Sequence, residues 1–379
     1  YRVERGHAAN ERCRIHEENT VSLLKTFLPF HSIQAFETLL SILPSRIPAD
    51  FRFLDPYIRS STCPPRSVFV HQAIHHPEFL AIVSEYTLES CRMQFQHPAQ
   101  ISFWAGLMTE AVGGIVDKNK SGRAAIQKGN DQSILHILGP IFAESLVMKK
   151  VPTMQIASYM AVAVFVSKGD LEDIAVTAFM EQIVYGWTND TIRAALVSLA
   201  ILAQQRSAKQ MSSKVTKALL KVADVGALLV EIGHQRRVDK LANGLCLALI
   251  DRFIKRKDSR GLPIIMAILG GHLLKDKQIA VIFKSLLLTA LKLNDDNDED
   301  GSLRRDLGSA LITLSQLSGD AGDVIQSVIQ DVNYDIEALE MKLDLSFRSR
   351  VVPDANADET TGGDEVTKQD LNKAIMDAS

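Results

Sequence analysis

The sequence predicts an all-α fold, a HEAT/armadillo-like helical-repeat solenoid (an α-α superhelix). Apolar residues recur at helical spacing almost without a break. Period-two alternation is rare. From about residue 152 onward, pairs of helical stretches recur every 35 to 40 residues or so, the period of arrays in which each helix pair buries its face on its neighbours.

The first element is carried by RIHEENTVSLLKTFLPFHS, residues 14–32. His16-Glu17 opens like a zinc-protease helix, but a second ligand would have to stand four residues on, and Thr20 is there; His31 lies beyond Pro29. The expected structure is a helix starting between His16 and Asn19. Val21, Leu24 and Leu28 form its stripe, Leu23 and Phe27 widen it, and Pro29 ends it. Residues 43–73 contain five prolines, which predict short helices and turns. Within it and beyond, His71, His75 and His76 are the densest His cluster; Pro77 and the lack of a Cys or carboxylate at ligand spacing favour a helix end over a metal site.

Residues 98–150 predict two longer helices, AQISFWAGLMTEAVGGIVDK and DQSILHILGPIFAESLVMKK, the second kinked at Pro140. Pro152 and Gly169 bracket the next, VPTMQIASYMAVAVFVSKG. Asp170 is the expected N-cap of the helix after it, and Asn189 or Asp190 of the third. The paired units are 152–188, 189–222, 223–257 and 258–293, and stretches such as ASYMAVAVFV and GLCLALI are apolar nearly all round, as helices inside a stack should be. NDDNDEDG, residues 294–301, predicts a solvated acidic loop without the calcium-loop ligand pattern. The organisation expected is a segment 1–13 apart from the rest, an irregular helical part 14–150, helix pairs over 151–348, and an acidic flexible tail 349–379 with a short helix in KQDLNKAIMDAS.

Composition narrows the function. Of 379 residues, 46% are hydrophobic and 23% charged, enough for a large core. Four scattered cysteines with no CxxC pair point to a reducing compartment. No apolar run is long enough to span a membrane, and the charged start predicts no secretion signal. No nucleophile elbow, phosphate loop or dinucleotide fingerprint occurs, so no enzyme, no cofactor and no small-molecule substrate are expected. Residues 151–290 carry 18 Lys/Arg against 11 Asp/Glu, and residues 291–379 carry 8 against 20. A basic middle beside an acidic end suggests a nucleic-acid contact on one part of the chain. Its densest cations are Arg236, Arg237, Lys240, Arg252, Lys255, Arg256, Lys257 and Arg260, which at helix ends and turns could line one edge and meet phosphates. Only Phe253 lies among them, so stacking of bases is not expected there, and a solvated or protein-docking edge is the alternative.

Read together and in order, RIHEENTVSLLKTFLPFHS, FETLLSILP, FRFLDPYIRSSTCPPR, ISFWAGLMTEAVGGIVD and SLVMKKVPTMQIASYM resemble the N-terminal region of the U3 snoRNA-associated protein 10 family, called HEAT-repeat-containing protein 1 in animals. The resemblance covers roughly residues 12–345; YRVERGHAANERC departs from it. It implies a long, non-catalytic HEAT-repeat scaffold in ribosome biogenesis. Such a scaffold is a subunit of the UtpA complex and the small-subunit processome, in the context of the U3 snoRNP. The implied partners are β-propeller subunits and the 5′ external transcribed spacer of pre-rRNA. The implied roles are 18S rRNA maturation and support of rDNA transcription, in the nucleolus. An armadillo-type transport or cargo adaptor, binding peptides in a concave groove, is the alternative. Regularly spaced groove Trp-Asn pairs, which it would need, are missing: the two Trp are Trp104 and Trp187.

Overall fold

Helices alternate between two layers in a computed structural model that describes residues 2–44, 47–293, 301–331 and 336–343. The chain opens with α1 (Arg2–Phe27), a 3-10 turn (Leu28–Phe30) and α2 (Gln34–Ile42). The proline-rich stretch forms a 3-10 segment (Ala49–Leu54), α3 (Asp55–Ser60) and α4 (Arg66–His75). Then come α5 (Pro77–Arg92), α6 (Pro98–Lys118), α7 (Ala124–Ser145), α8 (Pro152–Lys168) and α9 (Asp173–Gly186). The next four are α10 (Ile192–Gln205), α11 (Ser213–Leu219), α12 (Val225–Gly233) and α13 (Asp239–Arg256). The last are α14 (Leu262–Gly270), α15 (Asp276–Lys292), α16 (Ser302–Ser315), α17 (Asp320–Ile329) and α18 (Ile336–Leu343).

Each helix from α4 onward packs on the one two places along. The even-numbered helices α4 to α16 form one layer, and α9 to α17 continue the other, in which α5 packs on α7. Phe142 of α7 meets Phe179 of α9 edge-on at 5.9 Å, with Phe165 of α8 against both, which ties the layers together. This is the predicted all-helical solenoid: each pair leaves an apolar face that only its neighbours cover. The all-round apolar stretch of α8 is buried accordingly, from Met154 and Ala157 to Phe165 and Val166.

Several sequence expectations need correction. The helix holding His16 does not begin there, because α1 runs unbroken from Arg2. Thr20, the residue at the absent zinc position, is buried and its hydroxyl donates to the His16 carbonyl at 2.8 Å. Leu23 does not widen the buried stripe; it is 43% exposed. The second long helix starts at Ala124 and continues through Pro140. Asp170 is not a cap. Glu172 takes that position without a side-chain bond, and the Asp170 N–H instead donates to the buried carboxylate of Asp131. Thr191, not Asn189 or Asp190, precedes α10; its hydroxyl accepts the Thr188 N–H at 2.9 Å, closing the turn. The acidic run 294–300 and the tail 349–379 lie outside the described residues.

Asn243-Gly244, a dipeptide usual in hairpin turns, sits inside α13. Glycine serves another purpose here. The linker before the short α11 crosses α13 so closely that the Met211 N–H donates to the Gly244 carbonyl at 3.1 Å, and a Cβ at Gly244 would lie 3.1 Å from the Lys209 carbonyl.

Candidate nucleic-acid interface

Antiparallel neighbours put the turns between pairs along one edge of the array and the turns within pairs along the other. That separates the eight predicted cations. Arg236, Arg237 and Lys240 stand where α12 turns into α13; Arg252, Lys255, Arg256, Lys257 and Arg260 stand where α13 leads to α14. Lys240 and Arg256 are 16 positions apart on one helix, about 24 Å along its axis. The structure therefore does not bring the eight to one edge.

Several of them already have partners. Lys240 donates to the carbonyls of Gln204 (2.6 Å) and Arg206 (3.1 Å), neutralising the C-terminal end of α10. Arg252, only 16% exposed, donates to Asp258 at 2.7 Å, and Arg260 grips the same carboxylate at 2.9 Å. These bonds, those from Arg260 foremost, hold Asp258 well below the usual carboxylate range despite its burial. Lys255 pairs with Asp251 and Arg237 reaches Asp239 only at 3.7 Å. Arg236, Arg256 and Lys257 are exposed and make no side-chain ion pair among the described residues. Phe253 is buried, so it offers no stacking face.

The depressed Asp258 has a pH consequence. A carboxylate whose folded value is lowered adds stability above its unfolded value, near pH 4, and loses it as pH falls through the lower folded value. Asp258→Asn leaves Arg252 half-paired in a mostly buried place and is expected to cost about 2 kcal/mol. The difference from the unaltered chain should be the same at about pH 7 and pH 5 and shrink only below about pH 4 in denaturant titrations. A difference that already fades between pH 7 and 5 would show that Asp258 is not the group responsible.

Sequence reading missed a second feature along the edge where α13 leads to α14. An open groove of about 960 Å³ lies between α9 and α11, closed by the turn into α10 and the start of α12. Its floor is apolar, formed by Val184, Ile192, Ala218, Val222 and Leu228, with Trp187 half-buried among them. Its rim carries Arg193, Lys214, Lys217 and Lys221 against one lining carboxylate, Glu181. Lys214 pairs with Glu181 at 2.7 Å, and Arg193 with Glu231 across the array at 2.5 Å. Burial raises Glu181, but the bonds from Lys214 and Ser212 outweigh it and hold it below its ordinary value. Lys217 and Lys221 are exposed and make no ion pair among the described residues. Tyr185, in the last turn of α9, is 70% exposed, with the Lys149 ammonium 5.2 Å from its ring centre. On the other side of α11, Ser213 and Thr216 share a pocket of about 320 Å³ with Arg252, Lys255 and Arg256, so the exposed Arg256 lies one helix away. One signal was legible: Lys214, Lys217 and Lys221 stand at i, i+3 and i+7 with no acidic residue between them, which puts all three on one face.

His71 and His75 do share a face of α4, their rings stacked at 4.1 Å, and His75 Nδ1 lies 2.9 Å from the His71 carbonyl. Among the described residues no three His, Cys, Asp or Glu side chains converge as metal ligands, and no helix is long and apolar enough to cross a membrane. All four cysteines are unpaired; burial pushes the Cys91 thiol up to about 11, with Glu144 adding to the effect.

Comparison with known proteins bears on the whole chain. Residues 134–249, which include the groove, match the model of a family described as U3 small nucleolar RNA-associated protein 10. Proteins of that name from Neurospora crassa and Pyricularia oryzae are each 51% identical to it, over 92% and 96% of the chain. One from Aspergillus oryzae is 32% identical over 92%. The chain spans about a fifth of the length of these relatives, 20%, 20% and 19% respectively. On this similarity over nearly its full length, joined to a helical array of the expected kind, the chain belongs to the U3 small nucleolar RNA-associated protein 10 family.

Proposed function

We propose that this chain is a non-catalytic scaffold segment acting in ribosome biogenesis. The observation that carries the reading is the 51% identity, over nine tenths of the chain, to proteins named for association with U3 small nucleolar RNA. A solenoid suits the role, because stacked pairs expose long surfaces on which several partners can sit side by side. In this reading the protein works in the nucleolus as an early-assembling subunit of the small-subunit processome. It holds UtpA proteins, β-propeller subunits among them, and touches the 5′ external transcribed spacer of pre-rRNA. It thereby supports 18S rRNA maturation and rDNA transcription. Contacts to RNA fall on the edge of the array that carries Lys217, Lys221, Arg256 and Lys257, exposed cations able to meet phosphates.

The test is affinity purification of the tagged full-length protein from its own cells, followed by mass spectrometry and RNA sequencing. Processome subunits and spacer RNA are expected together, with the RNA lost as salt is raised. Recovery of transport cargo, with neither processome proteins nor spacer RNA, would overturn the proposal.

A further inference from the structure

We propose that the groove between α9 and α11 binds single-stranded nucleic acid, with a base stacked on Tyr185 and backbone phosphates held by Lys217 and Lys221. The inference deepens the RNA contact proposed above and rests on that reading, but it assigns a site, a strand state and a mode of recognition.

The argument is one of complementarity. The groove joins an apolar floor to a rim with four cations and one carboxylate, and that carboxylate is taken up by Lys214. Its ligand must therefore be an anion that also offers apolar surface. A single strand does so, because its unpaired bases expose flat faces beside a line of phosphates. A duplex hides those faces inside its stack. Tyr185 is the exposed aromatic, and a helix end fixes its position at the groove mouth. Lys149, over one face of the ring, adds a cation where a neighbouring phosphate would pass, so the base stacks on the opposite face. Lys214 and Lys217 stand on α11 and Lys221 in the turn just past its end, together enough to follow a strand over a few nucleotides. Stacking on a ring face and ionic contact to phosphates depend little on sequence.

The test uses the 379-residue chain in fluorescence anisotropy with three labelled probes: a single-stranded RNA of about 15 nucleotides, the duplex made from it, and a polyglutamate peptide. The single strand should bind more tightly than the duplex, and polyglutamate should not bind. Tyr185→Ala should weaken the single strand about tenfold, while Tyr185→Phe, which keeps the ring, should bind like the unaltered chain. Lys217→Gln with Lys221→Gln should weaken it and flatten the slope of log affinity against log salt by about 1.4. All these side chains are exposed, so unchanged circular dichroism and melting are expected for each variant.

Failure of the unaltered chain to bind the single strand, equal affinity for the duplex, an unchanged affinity in Tyr185→Ala or a preference for polyglutamate would each overturn the groove assignment. The scaffold reading is judged separately, by purification of the full-length protein. If it is found in processome particles while Tyr185→Ala binds RNA unchanged, only the groove assignment falls. If it is absent from such particles while the groove binds RNA through Tyr185, only the scaffold reading falls.

Discussion

Gly186→Val is expected to split unfolding of the array into two transitions and to remove about 3–5 kcal/mol from the junction between α7 and α9. Gly186 ends α9 against the turn that joins α7 to α8. A Cβ there would lie 2.2 Å from the Leu146 carbonyl oxygen and 2.8 Å from the Val147 Cα. Both are backbone atoms, so neither can swing aside as a side chain would. The same place is held by Gln155, wholly buried in α8, whose amide donates to the carbonyls of Leu146 (3.1 Å) and Gly186 (2.7 Å). Prising the segments apart thus breaks buried hydrogen bonds as well as packing. In a linear array each unit touches only its neighbours, so a damaged interface separates the part before it from the part after. Denaturant unfolding followed by circular dichroism, with hydrogen exchange to locate the break, should show the blocks on either side melting apart. Gly186→Ala should carry most of the same cost, because the first carbon added is the one that clashes. A single transition with an unshifted midpoint in either variant would refute this account of the junction.

That junction shows what could be read from sequence and what could not. The helix bounded by Pro152 and Gly169 appears where expected, because proline at the start and a glycine stop act locally. The burial of α8 follows from its composition. The role of Gln155 does not, since its partners are 9 and 31 residues away. Caps were misplaced for a similar reason. Asp170 looks like a cap but answers to Asp131 on α7, while Asp173 begins the helix and spends its carboxylate on the N–H groups of Ser207 and Ala208 beyond α10. The early start of α1 is hidden by its polar residues, which resemble a boundary although neither proline nor glycine occurs over residues 7–27.

The site was legible in its charge and illegible in its shape. Cations at 236–240 and 252–260 are neighbours in sequence, yet α13 carries them to opposite edges of the array. Tyr185 and Lys221 are far apart in sequence, yet the repeat register brings both to one groove. Sequence reading found only Phe253 near the basic cluster for this reason: the exposed aromatic in the groove, Tyr185, comes from the preceding pair of helices.

Trp104→Ala should lower stability of the N-terminal helices by about 3–5 kcal/mol, with the loss confined to the region around α5 and α6. Trp104 heads the wholly buried side chains by volume, and its indole N–H donates to the Ser84 hydroxyl at 3.0 Å, itself wholly buried. Alanine leaves a cavity between two helices whose backbones are fixed by further packing, so the gap cannot close fully. Ser84 has an alternative, since a serine in a helix can turn its hydroxyl to the carbonyl four residues back. Most of the cost is therefore the cavity, and Trp104→Phe, which refills much of it, should lose only about 1–2 kcal/mol. Equal losses for Phe and Ala would instead make the hydrogen bond the main term. The Phe variant also leaves Trp187 as the single indole, in the lining of the α9–α11 groove. Its emission should report ligands entering that groove without interference from the core, and a single strand that binds there should change it while the duplex does not.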